Sequence, residues 1–251
     1  LQDCEPHFHD TYPVGLVRKG TVHLTVGRRI VRVEPGEVVV VHPYEVHGGG
    51  SADELIECDI LYPSIDLMIE ATGLVPCGGG YPCFDSPLFR QSPATMQLRT
   101  CLDRFRDRER RSAATADGGV VDALHAVLVQ GAPGSARWRP IAGGRSSVDQ
   151  ALDIMLRQVA SIRRPGEITE RLGVSPFHFS RVFHRAIGVS PIVFLRQLRV
   201  ARARTLIVDG MALADVAVDA GFFDQPHMNR EFKSVFGFPP GQLARTVRDR
   251  N

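Results

Sequence analysis

Two sets of side chains in this sequence carry donor atoms that could do chemistry. His7 and His9 stand one residue apart and His47 follows further on; imidazole nitrogens that converge can ligate a divalent ion or hold a small polar molecule. Much later come His178, Ser180, Arg181 and Arg185, and then Gln225, Asn229, Arg230 and Lys233. Those types suit a nucleic acid, since Asn and Gln pair with adenine edges, Arg with guanine, and Arg, Lys and His with phosphate. No catalytic residue is expected.

The second set lies in a duplicated segment. Arg181-Val182-Phe183 returns as Arg230-Glu231-Phe232, and Gly188-Val189-Ser190-Pro191 as Gly237-Phe238-Pro239-Pro240, each 49 positions on. Upstream the register is 48, with Gly173 matching Gly221 and Ile168 matching Val216. One residue is therefore inserted in the turn or at the start of the following helix, where insertions cost little.

Each copy reads as a short helix, a glycine turn and a second helix. In the first, Glu167 to Leu172 is the short helix, Gly173 the turn, Ser175 the expected cap and Pro176 the first helical residue, a place where a missing N–H is harmless. Phe179 and Phe183 form an inner stripe, leaving His178, Arg181, His184 and Arg185 off it. In the second, Leu213 to Ala220 is the short helix, Asp224 the cap, and Met228, Phe232 and Val235 or Phe236 the inner stripe. Between the copies, Pro191 to Gly210 has apolar residues near helical spacing. An 18-residue helix is about 27 Å long, so this rod would hold the two outer faces roughly one DNA turn, about 34 Å, apart.

The run Gly173 to Phe183, with Ala217 to Phe222, Phe232 to Gly237 and Pro239-Pro240, resembles the two-motif DNA-binding domain of AraC/XylS transcription regulators over about residues 147 to 246. The resemblance implies double-stranded DNA as a partner and groove-facing Phe177, Ser180, Arg181, Gln225, Pro226, Asn229 and Arg230. Two departures stand out. Ile168-Thr169 replaces the family's usual Leu-Ala behind an approach, Arg163 to Gly166, poor in helix formers, which implies a looser first motif. Pro226 replaces a polar residue and removes one hydrogen-bonding contact. Against DNA contact, Arg181 and Arg230 have possible carboxylate partners in Glu170 and Asp219, while His178 and His184 lack neighbouring ligands for a metal.

From Val14 to Val41 the chain reads as short strands with turns at Lys19-Gly20 and Gly27-Arg28 and a break at Glu34 to Glu37, the pattern of an antiparallel barrel or sandwich. Pro6-His7-Phe8-His9, Gly20, Pro35-Gly36, His42-Pro43 and His47 resemble the two cupin motifs, a fold the AraC family uses to hold its effector. A cupin enzyme would add a Glu to the histidines, but Tyr12, Pro13 and Val14 occupy its place. His7, His9 and His47 are therefore assigned to an effector pocket, with a divalent metal such as zinc as the lesser alternative and no resident cofactor expected. His42 and His23 read as barrel or surface residues.

The expected fold class is α+β in two domains. A cupin-like antiparallel β-barrel (about 1–62) is followed by helices (about 63–130), a linker (131–146) and an all-α domain (147–251) with two helix-turn-helix motifs joined by a long helix. Helical patterns at Pro93 to Arg111 and Gly119 to Gln130 either cover the barrel or, as in the family, form a dimer contact. Gly131 to Ser135 and Gly143-Gly144 punctuate the linker, and Trp138 is placed to dock on one domain.

Charge agrees mildly, since Lys plus Arg exceed Asp plus Glu by 15 to 10 from Ser146 onward and fall short by 15 to 18 before it. The five cysteines show no C-x-x-C spacing and are expected as reduced thiols. No run of about 18 apolar residues could span a membrane, and a cytoplasmic, bacterial location is expected. The function expected is that of a ligand-responsive, non-enzymatic transcription regulator, a homodimer meeting RNA polymerase if it activates. The alternative is a metal-dependent cupin enzyme fused to a DNA-binding domain.

Overall fold

A computed structural model describes residues 4–50, 55–76, 80–109, 119–130, 134, 136–140, 146–162, 164 and 166–248. It divides into two compact units, Leu1–Ile141 and Ala142–Asn251. The sequence features at 77–79, 110–118, 131–133, 141–145, 163 and 165 lie outside the described residues.

In the first unit the strands are β1 (Cys4–His7), β2 (Val14–Lys19), β3 (Val22–Val26), β4 (Arg29–Val33), β5 (Val38–Val40), β6 (His47–Gly50) and β7 (Glu57–Leu61). Then come α1 (Ile65–Thr72), β8 (Gly80–Phe84), β9 (Leu88–Phe89), α2 (Pro93–Glu109), α3 (Gly119–His125), running on as a wider turn at Ala126–Gln130, and β10 (Ala136–Pro140). Two antiparallel sheets form, in the orders β1-β6-β3-β4 and β7-β2-β5-β9, and β10 pairs with β8.

Side-chain alternation explains the layering. Val39 and Val41 pack with Val17, Val26, Val31 and Val33 in one cluster. Val38 and Val40 face the other way with Val14 and Leu16, against Met68 of α1, Leu98 and Leu102 of α2, and Leu124 and Leu128. The second sheet is thus apolar on both faces, and the helical stripes that could have served a dimer are used to cover it. At the helix edge His125 Nδ1 donates to the Ala71 carbonyl at 2.8 Å.

Two boundaries differ from those expected. The β-structure does not end near residue 62, because β8 and β9 follow α1 and β9 joins the second sheet through β5. Nor is residues 131–146 simply a linker, since Ala136–Pro140 is strand β10. Trp138 lies opposite Pro82, and a Cβ on Gly80 would come within 2.6 Å of its ring, so the indole docks on the first unit where only glycine leaves room.

The second unit comprises α4 (Ser147–Gln158), α5 (Gly166–Leu172), α6 (Pro176–Ile187), α7 (Pro191–Val208), α8 (Leu213–Asp219), α9 (Gln225–Phe236) and α10 (Pro240–Arg248). α4 opens with a capping box in which Ser146 and Asp149 exchange bonds. The departure at Thr169 is accommodated locally, because its buried hydroxyl donates to the Gly166 carbonyl at 2.9 Å. α5 gains further support from Arg164, whose guanidinium spans both Glu170 oxygens at 2.7 and 3.1 Å.

α7 is more than a spacer. It is buried nearly all round, with Phe194 packed edge-on to Phe183 at 5.5 Å and Val200, Ala203 and Ile207 in a core shared with Val216, Phe222, Met228 and Phe232. Among the described residues no helix is long and apolar enough to cross a membrane.

Candidate functional site

β1 and β6 are antiparallel neighbours, and their register sets His7 opposite His47. His9 follows just beyond β1, and the rings gather with centroids 4.4 Å (His7–His47), 4.9 Å (His7–His9) and 5.3 Å (His9–His47) apart. One ligand atom from each lies within 4.8 Å of the others. His9 and His47 are 4% and 5% exposed, while His7 is half-buried. Half-exposed Tyr62 stands edge-on to His9 at 5.0 Å.

His47 Nδ1 lies 2.9 Å from the Glu45 carbonyl. A carbonyl only accepts, so Nδ1 carries the proton and Nε2 keeps its lone pair. Burial first, and then the neighbouring His7, push the His47 pKa down to about 4, which leaves a neutral imidazole with a free donor at neutral pH.

No carboxylate stands where the sequence pattern lacks one. Tyr12 turns into the helix-covered core and donates its hydroxyl to the Pro82 carbonyl at 2.5 Å, and Val14 is buried beside it. His42 is not part of the triad; its Nε2 accepts from the Phe84 N–H at 2.9 Å and its Nδ1 lies 2.8 Å from Glu45 Oε2. It is a buried tie between the barrel and β8. His23 is exposed on β3. The turn that carries Glu45 includes Tyr44 at φ 62, a left-handed conformation costly for a tyrosine. Sequence pattern alone did not single out Tyr44 or the Glu45 carbonyl, whose roles arise from the turn between His42 and His47, or Tyr62, which stands just past β7 and reaches His9 across the fold.

The second unit presents two similar helix pairs. α5 and α8 are each 7 residues long, and α6 and α9 each 12. Both turn glycines are left-handed, Gly173 at φ 64 and Gly221 at φ 84. The Val174 N–H donates to the Thr169 carbonyl just as Phe222 N–H donates to the Ala217 carbonyl, at 3.1 and 2.9 Å. That bond keeps the spacing of 48, and the helices then start at Pro176 and Gln225, 49 apart. The inserted residue is therefore Phe223 in the turn, and it is 91% exposed.

Inner and outer faces separate as the periodicity requires. Phe179, Phe183, Met228 and Phe232 are buried. Phe177, His178, Arg181, Arg185, Arg230 and Lys233 are exposed, and Ser180, Gln225 and Asn229 half-buried. Neither arginine takes the carboxylate partner open to it: Glu170 is occupied by Arg164, and among the described residues Arg181 and Arg230 are in no ion pair. The Arg181 guanidinium instead lies 5.7 Å from the ring centre of Phe177, itself 73% exposed. Ser180, Arg181, His184, Arg185 and Ser190 line a shallow surface depression.

The caps differ from expectation in one place. Asp224 accepts from the His227 N–H at 2.6 Å, but Ser175 makes no side-chain cap bond, and Pro176 alone pre-sets the start of α6. Asn229 also differs from Arg230, because its Oδ1 is sealed from solvent without a hydrogen-bond partner among the described residues.

Three arginines of α7 that could pass for DNA contacts are structural. Arg196 pairs with Glu231 of α9 at 3.1 Å, Arg199 donates to the Ile162 carbonyl, and Arg202 donates to the Asp219 carbonyl at 2.8 Å. They tie the central helix to α9, to the end of the α4 segment and to α8. The i, i+3 spacing of the three was visible in the sequence, but their partners were not.

Comparison with known proteins agrees with both halves. A family model described as an AraC-like ligand binding domain matches residues 1–117, and one described as a helix-turn-helix domain matches residues 168–246. The uncharacterized HTH-type transcriptional regulator YbfI of Bacillus subtilis is 22% identical over 229 residues, covering 91% of this chain and 82% of its own. The HTH-type transcriptional activator RhaS of Yersinia pestis is 23% identical over 244 residues, covering 94% and 88%. The crystal structure of ToxT from Vibrio cholerae O395 is similar in fold, with a TM-score of 0.58 at 11% identity over 98% of this chain and 92% of that one. With a ligand-binding domain model on the first unit, a helix-turn-helix model on the second and regulators aligned along nearly the whole length, the chain belongs to the AraC/XylS family of DNA-binding transcription regulators.

Proposed function

We propose that α6 and α9 are the two recognition helices and that they enter successive major grooves on one face of duplex DNA. The observation that carries this is the pair of exposed outer faces, Phe177 to Arg185 and Gln225 to Lys233, borne by matched helix pairs packed on a single central helix. Selection of bound duplexes from a random pool by the full chain tests it. Two conserved half-elements separated by about one helical turn, 10–10.5 base pairs, are expected, and a single contiguous half-element would limit recognition to one motif.

The first unit senses the effector, and His7, His9 and His47 line its pocket. The support is their convergence on β1 and β6 beside solvent-facing Tyr62. A ToxT structure of similar fold, with a TM-score of 0.55 at 12% identity, holds an unsaturated fatty acid, so a small organic effector is the reading carried over. Replacing His7 and His47 together should abolish the effector response of a reporter while duplex binding persists; an unchanged response removes both from the pocket.

The protein acts as a cytoplasmic homodimer without catalytic activity and, where it activates, meets RNA polymerase. Because the apolar stripes of α2 and α3 face the sheet, the dimer contact falls on their outer faces, where Met96 is 45% exposed. Sedimentation of Met96→Glu against the parent chain tests this, a shift to monomer being expected.

A further inference from the structure

We propose that the outer edge of β4 is a docking site for an extended, acidic segment of a partner protein, which adds to the first sheet as a further strand. The site stands apart from the histidine pocket and from α6 and α9. It is defined by which backbone groups the two sheet edges leave open.

β4 ends the first sheet and β9 ends the second, and residues of both border one open depression. The ladder fixes which groups of β4 point into it. The Gly27 N–H donates to the Val46 carbonyl at 2.8 Å, continuing the β3–β6 register that sets Thr25 on Gly48. Bonded pairs alternate along an antiparallel ladder, so His23, Thr25 and Gly27 turn their backbone groups to β6, and Val22, Leu24 and Val26 turn theirs to β4. The partners of those three are Val33, Val31 and Arg29. The N–H and C=O groups of Ile30 and Arg32 therefore point outward, with no strand beside them among the described residues.

The neighbouring edge groups are capped by side chains. On β9 the Leu88 N–H donates to the Ser86 hydroxyl at 3.2 Å, and that hydroxyl donates back to the Leu88 carbonyl at 3.3 Å. Further along β4 the Glu34 N–H donates to Glu37 Oε2 at 2.9 Å, while Arg90 holds the other Glu37 oxygen at 2.7 Å. One stretch, at Ile30 and Arg32, stays open, and an open edge is a template for a further strand. Ile30, 78% exposed, adds an apolar side chain for a cross-strand contact.

Charge selects the occupant. Arg29, Arg32 and Arg90 line the depression with Glu34 as the one lining carboxylate. Arg32 pairs with Glu34 at 3.0 Å, but Arg29 donates to the Asp85 carbonyl at 3.0 Å and is in no ion pair among the described residues, so its charge is uncompensated. An incoming strand that alternates apolar and acidic residues answers both Ile30 and the arginines. A second copy of this chain fits poorly, because twofold pairing of β4 on β4 would bring the arginines of both copies to one seam, and like charges placed opposite destabilise a sheet.

The test uses the full chain and a fluorescein-labelled peptide of four Val-Glu repeats, followed by fluorescence anisotropy. Saturable binding is expected, with none by four Val-Lys repeats. Residues of a strand turn their backbone groups to alternate sides, so of two peptides N-methylated at every Val or at every Glu, one should bind and the other should not. Arg32→Glu should weaken binding by about fivefold. Ile30→Pro removes one outward N–H at an edge position, where proline is tolerated, and should abolish binding; circular dichroism checks the fold of both variants.

Failure of the Val-Glu peptide to bind at about 1 mM overturns the proposal. So does equal binding by the two N-methylated peptides, or unchanged binding by folded Ile30→Pro. Self-association of the parent chain that Ile30→Pro abolishes would give the edge to a second copy and overturn it as well.

Discussion

Residues on one helix can look alike in sequence and differ in what they are free to do. Arg230 is exposed and, among the described residues, in no ion pair, whereas Asn229, one position earlier, has its carboxamide oxygen buried. Arg230→Ala should therefore weaken operator binding by about 1–3 kcal/mol if the guanidinium reads a base, measured as the ratio of dissociation constants for selected and scrambled duplexes. A uniform loss on both duplexes, with a shallower salt dependence, would assign Arg230 to phosphate. Helical periodicity was enough to sort inward from outward side chains, since Phe179, Phe183, Met228 and Phe232 repeat at helical spacing. It could not show that Arg196, Arg199 and Arg202 are occupied within the fold, because a carbonyl acceptor leaves no mark on the acceptor's residue type. The same limit hid the Glu45 carbonyl behind His47.

At the scale of elements, two glycines that align with one another face opposite tests. A Cβ on Gly173 would meet nothing within 4 Å, while one on Gly221 would sit 2.8 Å from the Ala160 Cα. Both hold a left-handed backbone, so Gly173→Ala should cost about 1–2 kcal/mol from conformation alone. Gly221→Ala should cost clearly more, since backbone must also move, and urea denaturation of the two variants side by side reads the difference. Equal costs would mean that the second turn is not seated on the residues after α4. Gly49→Ala makes a parallel case in the first unit: it should part β6 from β3, displace His47 and disturb the ring contacts of the triad, which histidine proton spectra of parent and variant would register. The duplication placed the two turn glycines and the starts of α6 and α9 in advance, because each copy checks the other. The strands after residue 62 were harder to foresee, since β9 is 2 residues long and β10 sits in a glycine-punctuated stretch where pairing depends on a distant partner, β8.

At the scale of the whole molecule, a sensing unit and a DNA-binding unit are built on different physics, valine-rich sheets in one and aromatic helix packing in the other. A ligand held by the first unit at 100 times its dissociation constant should raise that unit's stability by about 2.7 kcal/mol, seen by differential scanning calorimetry as a shift of its own transition; a second unit that melts at an unchanged temperature would show that the two unfold independently. The second unit should melt in one step, because α7 lends side chains to the cores of both helix pairs. The close seating of Gly221 on Ala160 adds a genetic corollary. On the proposed placement of α9 in a groove, changes at residues 159 and 160, which lie outside both recognition helices, would misaim α9, so a screen for mutants blind to half of the operator should recover them beside α9 itself.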